Sequence, residues 1–329
     1  MLTPKCYVTI ADRLRFTGCY EFNVNRSIEN LSTTGHIILP TLAIFNSEHR
    51  RVLEVNKEVK VSDSVVIETG YAETGIKPLF KGVVKAVNTG ERVRLDIEDG
   101  MFLLRRKPIV LTAKKIKLKE LLNKILSGTG VSVSDRTADM LVDEFQYNGN
   151  VAGALAVVKE KLNLTVYLSA DDVLYTGLEE AEMLSAGEQK AARIKLIYGR
   201  NIIENSVSHQ TKESAPLKVV VKGKAKDGKE TVAEAGMEGG SKQTHYRYNV
   251  TDKAALKLIA DQLYHRQSYD GFRGTLTIWG IPVATPGGTV DYKNENYKDN
   301  EGRYFIKAVE TTFGGGGLRQ RLTMGYKVS

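Results

Sequence analysis

The residues of this sequence that could do chemistry are two cysteines, five histidines and a few acidic pairs. Cys6 and Cys19 are spaced as cross-strand neighbours of an N-terminal hairpin. Two thiols make no disulfide framework, and with no His close by they fall short of a metal site. Both are expected reduced and partly buried. His36, His49, His209, His245 and His265 are scattered, with no pair at metal-ligand spacing, so no metal ligand and no cofactor is expected. His265 follows a helical stripe and could favour that helix's C-terminal dipole. Asp171-Asp172 and Glu179-Glu180 sit in turns and read as solvated, although glycosidase acids need no sequence proximity.

The run Gly314-Gly315-Gly316-Gly317 invites a phosphate-loop reading. Such a loop needs a helix N-terminus behind it and a Lys-Ser/Thr pair. A strand follows instead, so a hairpin turn using glycine's tolerance of positive φ is expected. No nucleophile elbow, zinc-protease helix or Walker motif is present. No catalytic residue is assigned, and the chain is not expected to be an enzyme. The basic run Lys114, Lys115, Lys117 and Lys119 leads toward a helix and lacks the interleaved aromatics of a single-strand binder. It reads as a solvated face. The lone Trp279, beside Gly280 and Pro282, is expected in core or subunit-interface packing.

Elements must carry these residues, and composition bounds them. The chain has 329 residues, net charge +8 and 42% hydrophobic residues. That length suits two or three domains. The charge permits an acidic partner or passing nucleic acid without proving either. No stretch approaches the roughly 18 apolar residues of a membrane span. The N-terminus lacks the apolar core of a signal peptide, which points to synthesis in the cytoplasm.

The first hundred residues read as strands. Val93, Leu95 and Ile97 alternate with Arg94, Asp96 and Glu98, the period of a half-buried strand. Ile37-Ile38-Leu39 and Val65-Val66-Ile67 are short β-branched runs closed by turn residues. After Pro108 the period changes: Leu118, Leu121, Leu122, Ile125 and Leu126 share a helical face that Gly128 and Gly130 end. A second helix runs from about Ala152 to Leu162, with Asn150 placed to cap it. Residues 179–189 read as a linker with a helical turn. From about Ala191 strands return at 217–221, 275–278 and 321–328. One helix interrupts them, with Thr251 as cap and Leu256, Ile259 and Leu263 on one face. The Gly-, Lys- and Glu-rich stretch 222–248 reads as a long mobile loop, since it offers little apolar surface to offset its ordering entropy.

An internal echo accompanies this order. Val83-Val84-Lys85-Ala86-Val87 is matched by Phe305-Ile306-Lys307-Ala308-Val309. Each is followed by a Gly-containing turn and a returning strand, and each is preceded by a β-branched run ending in Gly70 or Gly280. Duplicated β-regions are one reading of it.

Leu79-Phe80-Lys81-Gly82-Val83-Val84, after a Gly70-Tyr71 turn, resembles the first barrel of phage tail baseplate hub proteins. These are the late control protein D and Mu-like tail protein family, related to the hub part of VgrG. The resemblance continues through Phe145-Gln146-Tyr147-Asn148-Gly149 before the second helix, then Ile281-Pro282, Pro286-Gly287 and the hairpin at Tyr304-Phe305-Ile306. It implies a β-rich α+β fold, with two tail-tube-like antiparallel β-barrel domains and a small α/β domain between them. The divisions are 1–108, 109–189 and 190–329, the last with one helix and the mobile loop.

The implied function is that of a structural baseplate hub of a contractile phage tail, or of a prophage or phage-derived contractile injection system. A homotrimer would form a pseudo-sixfold ring joining the hexameric tail tube protein to the trimeric central spike protein, beside other baseplate proteins. DNA would pass its lumen without specific binding. The chain would be a virion component at the tail baseplate, assembled in the host cytoplasm. The competing readings are a surface adhesin or carbohydrate-binding β-protein and, third, a cell-wall hydrolase.

Overall fold

The computed structural model describes residues 2–45, 51–169, 171–177, 184–224, 229–248 and 252–328. The N-terminal region holds β1 (Pro4–Ile10), β2 (Leu14–Phe16), β3 (Glu21–Ser27) and β4 (Thr34–Leu39). A small hairpin, β5 (Leu42–Phe45) and β6 (Arg51–Glu54), leads into the short α1 (Val55–Glu58), and then follow β7 (Ser64–Tyr71), β8 (Gly75–Thr89) and β9 (Val93–Glu98). Alternation turns one side chain in two inward, and Val8, Ile10, Val24, Ile37, Leu39, Val65, Ile67, Leu95 and Ile97 are buried in one cluster. The strands pair antiparallel in the order β3-β4-β9-β8-β7-β1-β2. Gly70 and Tyr71 end β7 rather than forming a turn; the tight return lies between Tyr71 and Gly75.

A second cluster follows, built on α2 (Met101–Arg105), β10 (Pro108–Lys117), α3 (Leu118–Ile125), β11 (Ser132–Val133), β12 (Leu141–Asn150), α4 (Val151–Leu162), β13 (Thr165–Leu168) and β14 (Val173–Gly177). The apolar stripe of α3 is buried throughout, and the chain leaves it through Gly128 and Gly130 at positive φ, 66° and 80°. Asn150 caps α4, its side chain accepting from the Gly153 amide at 2.8 Å. The lysine run lies mostly on β10, which pairs with β12 as a two-stranded ribbon with one face packed on this cluster.

The chain continues through α5 (Ala186–Ala191), capped by a Ser185/Glu188 box, and then β15 (Arg193–Ile197) and β16 (Ile202–Gln210). The stretch expected as a mobile loop is instead a sheet of β17 (Leu217–Lys224), β18 (Glu230–Gly236) and β19 (Ser241–Tyr248), residues 225–228 lying outside the described ones. Its apolar face is small, Val219, Val221, Ala233 and Ala235, and it is completed by Leu256, Ile259, Ala260 and Leu263 of α6 (Lys253–Gln267). The covering helix supplies the burial that the stretch lacks by itself. Thr251 lies outside the described residues; Asp252 caps α6 through the Ala255 amide.

The last strands are β20 (Gly271–Trp279), β21 (Thr289–Lys293), β22 (Gly302–Gly314) and β23 (Gly317–Lys327). They order as β16-β20-β23-β22, with β21 on the first part of β22 and β15 parallel to β21. The later part of β22 pairs with β3, from Ala308↔Ser27 to Phe313↔Phe22, and so welds both regions into one 13-stranded sheet. None of the sheets closes on itself among the described residues. The protein is thus β-rich, with large open antiparallel sheets.

Candidate assembly surface

The residues weighed for chemistry are placed apart. The Cys6 and Cys19 sulfurs approach to 3.6 Å as free thiols, and the Cys6 thiol is pushed far up by its hydrogen bond to Cys19 and by burial. No group of three or more His, Cys, Asp or Glu is arranged to hold a metal among the described residues. His36 meets Glu21 at 3.2 Å, and His209 is edge-on to Phe272 and Tyr304. His265 lies in the last turn of α6, while His49, Glu179 and Glu180 fall outside the described residues. Gly314 and Gly317 close the β22–β23 hairpin, with Gly317 at φ 82°, so no helix stands behind this turn. Lys117 and Lys119 pair with Asp139 and Asp135. Trp279 is 41% exposed, with the Arg319 guanidinium 4.0 Å over its ring, which removes the core reading.

Two neighbouring carboxylates are buried: Glu98, which sequence patterning assigned to a strand's wet face, and Asp99, which it did not assign. Burial works against the charge of Glu98, but Arg105 and Lys85 outweigh it and hold its pKa below the ordinary value. Burial dominates at Asp99 and pushes its pKa up to about 6, despite amide hydrogen bonds from Thr33 at 2.6 Å and Met101 at 3.0 Å. Together they clamp α2 to the end of β9, Asp99 at its first residue and Glu98 at its last. A cleft of about 230 Å³, lined by Tyr198, Asn205, His209, Tyr292 and Tyr297 among others, lies beside β16. Ligand pockets ordinarily run to about 300–1,000 Å³.

The stronger pattern is a repeat of geometry. In chain order, β1, β3, β4, β7, β8 and β9 correspond to β15, β16, β20, β21, β22 and β23, and both sets have the same spatial order of strands. Every pairing matches in direction except β1–β7, antiparallel, against β15–β21, parallel. Register agrees at a central bulge. The ladder β8–β9 slips between Val84 and Ala86, and β22–β23 slips between Ile306 and Ala308. The residue skipped is Lys85 in one and Lys307 in the other, each reaching a carboxylate: Glu98 at 3.2 Å and Glu29 at 3.6 Å. β-Bulges re-aim side chains in this way.

Two glycines coincide as well. Following the ladders through β9 and β23 aligns Gly35 with Gly274, opposite Val24 and Val207. A Cβ on Gly35 would stand 2.2 Å from the Asn23 carbonyl oxygen, and one on Gly274 would stand 2.1 Å from that of Ser206. The same close strand approach is built in both halves.

The two halves differ at one edge. β3 is covered by β22 and buries Phe22 and Val24, whereas its counterpart β16 has no strand on its outer side among the described residues. The last part of β8, equivalent to the part of β22 that covers β3, also has no strand on one side among the described residues.

No family model and no curated protein matches the chain. Solved structures do. A tail protein from Neisseria meningitidis MC58 superposes with TM-score 0.71 at 12% identity, over 98% of this chain and 96% of that one. The 43 kDa tail protein of prophage MuSo2 from Shewanella oneidensis gives 0.67 at 14%, over 98% of each. An E. coli type VI secretion component, described as structurally similar to phage T4 tail proteins gp27 and gp5, gives 0.58 at 9%, over 98% of this chain and 77% of that one. At these identities the likeness is one of fold: the chain has the fold of phage tail proteins. The resemblance read from its short sequence motifs agrees with that.

Proposed function

We propose that the chain is the baseplate hub of a contractile phage tail or of a phage-derived injection apparatus. In this reading the regions 1–108 and 190–329 are two tube-like β-units, and 109–189 is the α/β unit between them. Three copies form a ring of six similar units, which meets a hexameric tail tube on one face and a trimeric spike on the other. It would sit at the virion baseplate with other baseplate proteins, after assembly in the host cytoplasm.

The observation that carries the reading is the repeat of strand order, bulge and glycine between the two halves. A duplicated unit lets threefold symmetry present a nearly sixfold surface, and closed rotational symmetry is the common solution for an assembly of identical chains. The fold of tail proteins from two sources supports the setting. The role needs broad complementary surfaces and strand edges that neighbours complete; it does not call on a tuned catalytic group.

Multi-angle light scattering of the purified chain over a wide concentration range tests this. A species of three chains is expected to dominate as concentration rises. A monomer throughout would overturn the reading.

A further inference from the structure

Within the chain, β22 covers β3 through six register pairs: Ala308↔Ser27, Val309↔Arg26, Glu310↔Asn25, Thr311↔Val24, Thr312↔Asn23 and Phe313↔Phe22. The ladder equivalences place Ala86, Val87, Asn88 and Thr89 of β8 where Ala308, Val309, Glu310 and Thr311 stand in β22. They likewise place Val207, Ser208, His209 and Gln210 of β16 where Val24, Asn25, Arg26 and Ser27 stand in β3. The second half therefore offers to the first half of its own chain what the first half offers to nothing in that chain.

Resting on the ring proposed above, we infer that the open side of β8 pairs antiparallel with β16 of the next copy. The register is the one the chain already uses internally: Ala86 opposite Gln210, Val87 opposite His209, Asn88 opposite Ser208 and Thr89 opposite Val207. The pairing is heterologous, so each copy gives one edge and takes another, and a rotation that closes after three copies leaves neither of these two edges unused. All six seams of the ring are then of one kind, three within chains and three between them.

The surface chemistry fits a seam made only on assembly. An open, flat, apolar edge promotes aggregation. β16 instead presents exposed Glu204, Ser206, Ser208 and Gln210 and carries a register shift between Ile202 and Glu204. The buried Phe22 of β3 is replaced by the exposed Asn205. The outer part of β8 is also short, with Asn88 and Thr89 exposed before its turn. Backbone hydrogen bonds would supply the affinity, as in other cases of strand addition.

The double variant Asn88→Cys/Ser208→Cys, oxidised in the assembled state and run on a non-reducing gel, tests the pairing. Both positions are exposed, and directly opposed cross-strand residues bring their Cβ atoms to roughly 4.5–5.5 Å. Linked dimers and a limiting linked trimer are expected, with neither single variant giving a linked trimer. Bands extending past three chains would overturn the closed ring. In the unaltered chain, amides of residues 86–89 and 207–210 are expected to exchange more slowly in the trimer than after dilution to monomer. A trimer by light scattering without cross-links or added protection would overturn this seam while leaving the ring standing. A chain that never leaves the monomer would overturn both.

Discussion

At Glu98 and Asp99, consecutive carboxyl groups acquire opposite properties because one faces two cations, whereas burial dominates at the other, with the neighbouring Glu98 charge adding to it. Unfolded, the Asp99 carboxyl has its ordinary pKa of 3.8; folded, it is raised to about 6. Between these values the folded chain holds a proton that the unfolded chain has lost. The stability this group contributes is full below about pH 4 and is lost as pH rises through about 6. Asp99→Asn removes that titration. The melting temperature of the unaltered protein, relative to this variant, should therefore fall between pH 4 and pH 7, measured by thermal unfolding at each pH. A difference that stays constant across the range would contradict the buried-acid account. Little of this was legible in the sequence, where Glu98 reads as the wet half of an alternation. Its burial comes from Arg105 on α2 and Lys85 in the β8 bulge, partners that patterning does not connect. The Cys6 and Cys19 sulfurs do approach to 3.6 Å, but Cys19 lies beyond β2 rather than opposite Cys6 in a hairpin ladder.

Strands were the most legible elements, because a half-buried strand writes its period into the chain. The alternation at 93–98 is a strand and that at 321–328 is one up to Lys327, and the stripes of α3 and α4 are helices with the expected Gly exit and Asn cap. The β17–β19 sheet was not legible, since Ala233 and Ala235 signal burial weakly and their cover arrives from α6. In β10, Ile109, Leu111 and Ala113 alternate with exposed residues and pack against the second cluster, a short strand period that the following lysines obscure. The paired glycines allow a test of the repeat at this scale. Gly35→Ala and Gly274→Ala would each force a Cβ against a carbonyl oxygen of the neighbouring strand, at 2.2 and 2.1 Å. Gly274 also stands at φ 112°, where a Cβ brings strain. Overpacking typically costs about 1–3 kcal/mol. Both variants should lose at least about 1 kcal/mol, Gly274→Ala more than Gly35→Ala, measured by urea denaturation. An unchanged midpoint for either would contradict the matched close approach.

For the whole molecule, a five-residue echo carried more than its length promised. Lys85 and Lys307 match in sequence, but only the register shows that both occupy bulges, and only the strand order extends the match across each half. The weld between β22 and β3 was invisible because Asn23 and Glu310, hydrogen-bonded at 2.6 Å, are separated by 287 positions. Sequence pattern reports local burial; it carries no record of which distant edges meet. That weld makes an open sheet within one chain, and the proposed ring pairs the edges of β8 and β16 with neighbouring chains. Electron microscopy of the purified chain at concentrations where it assembles gives the most direct measurement. End-on averages should show a closed ring of three copies with six similar lobes around a central opening. Separate monomers, open filaments or a ring with another number of copies would contradict the account.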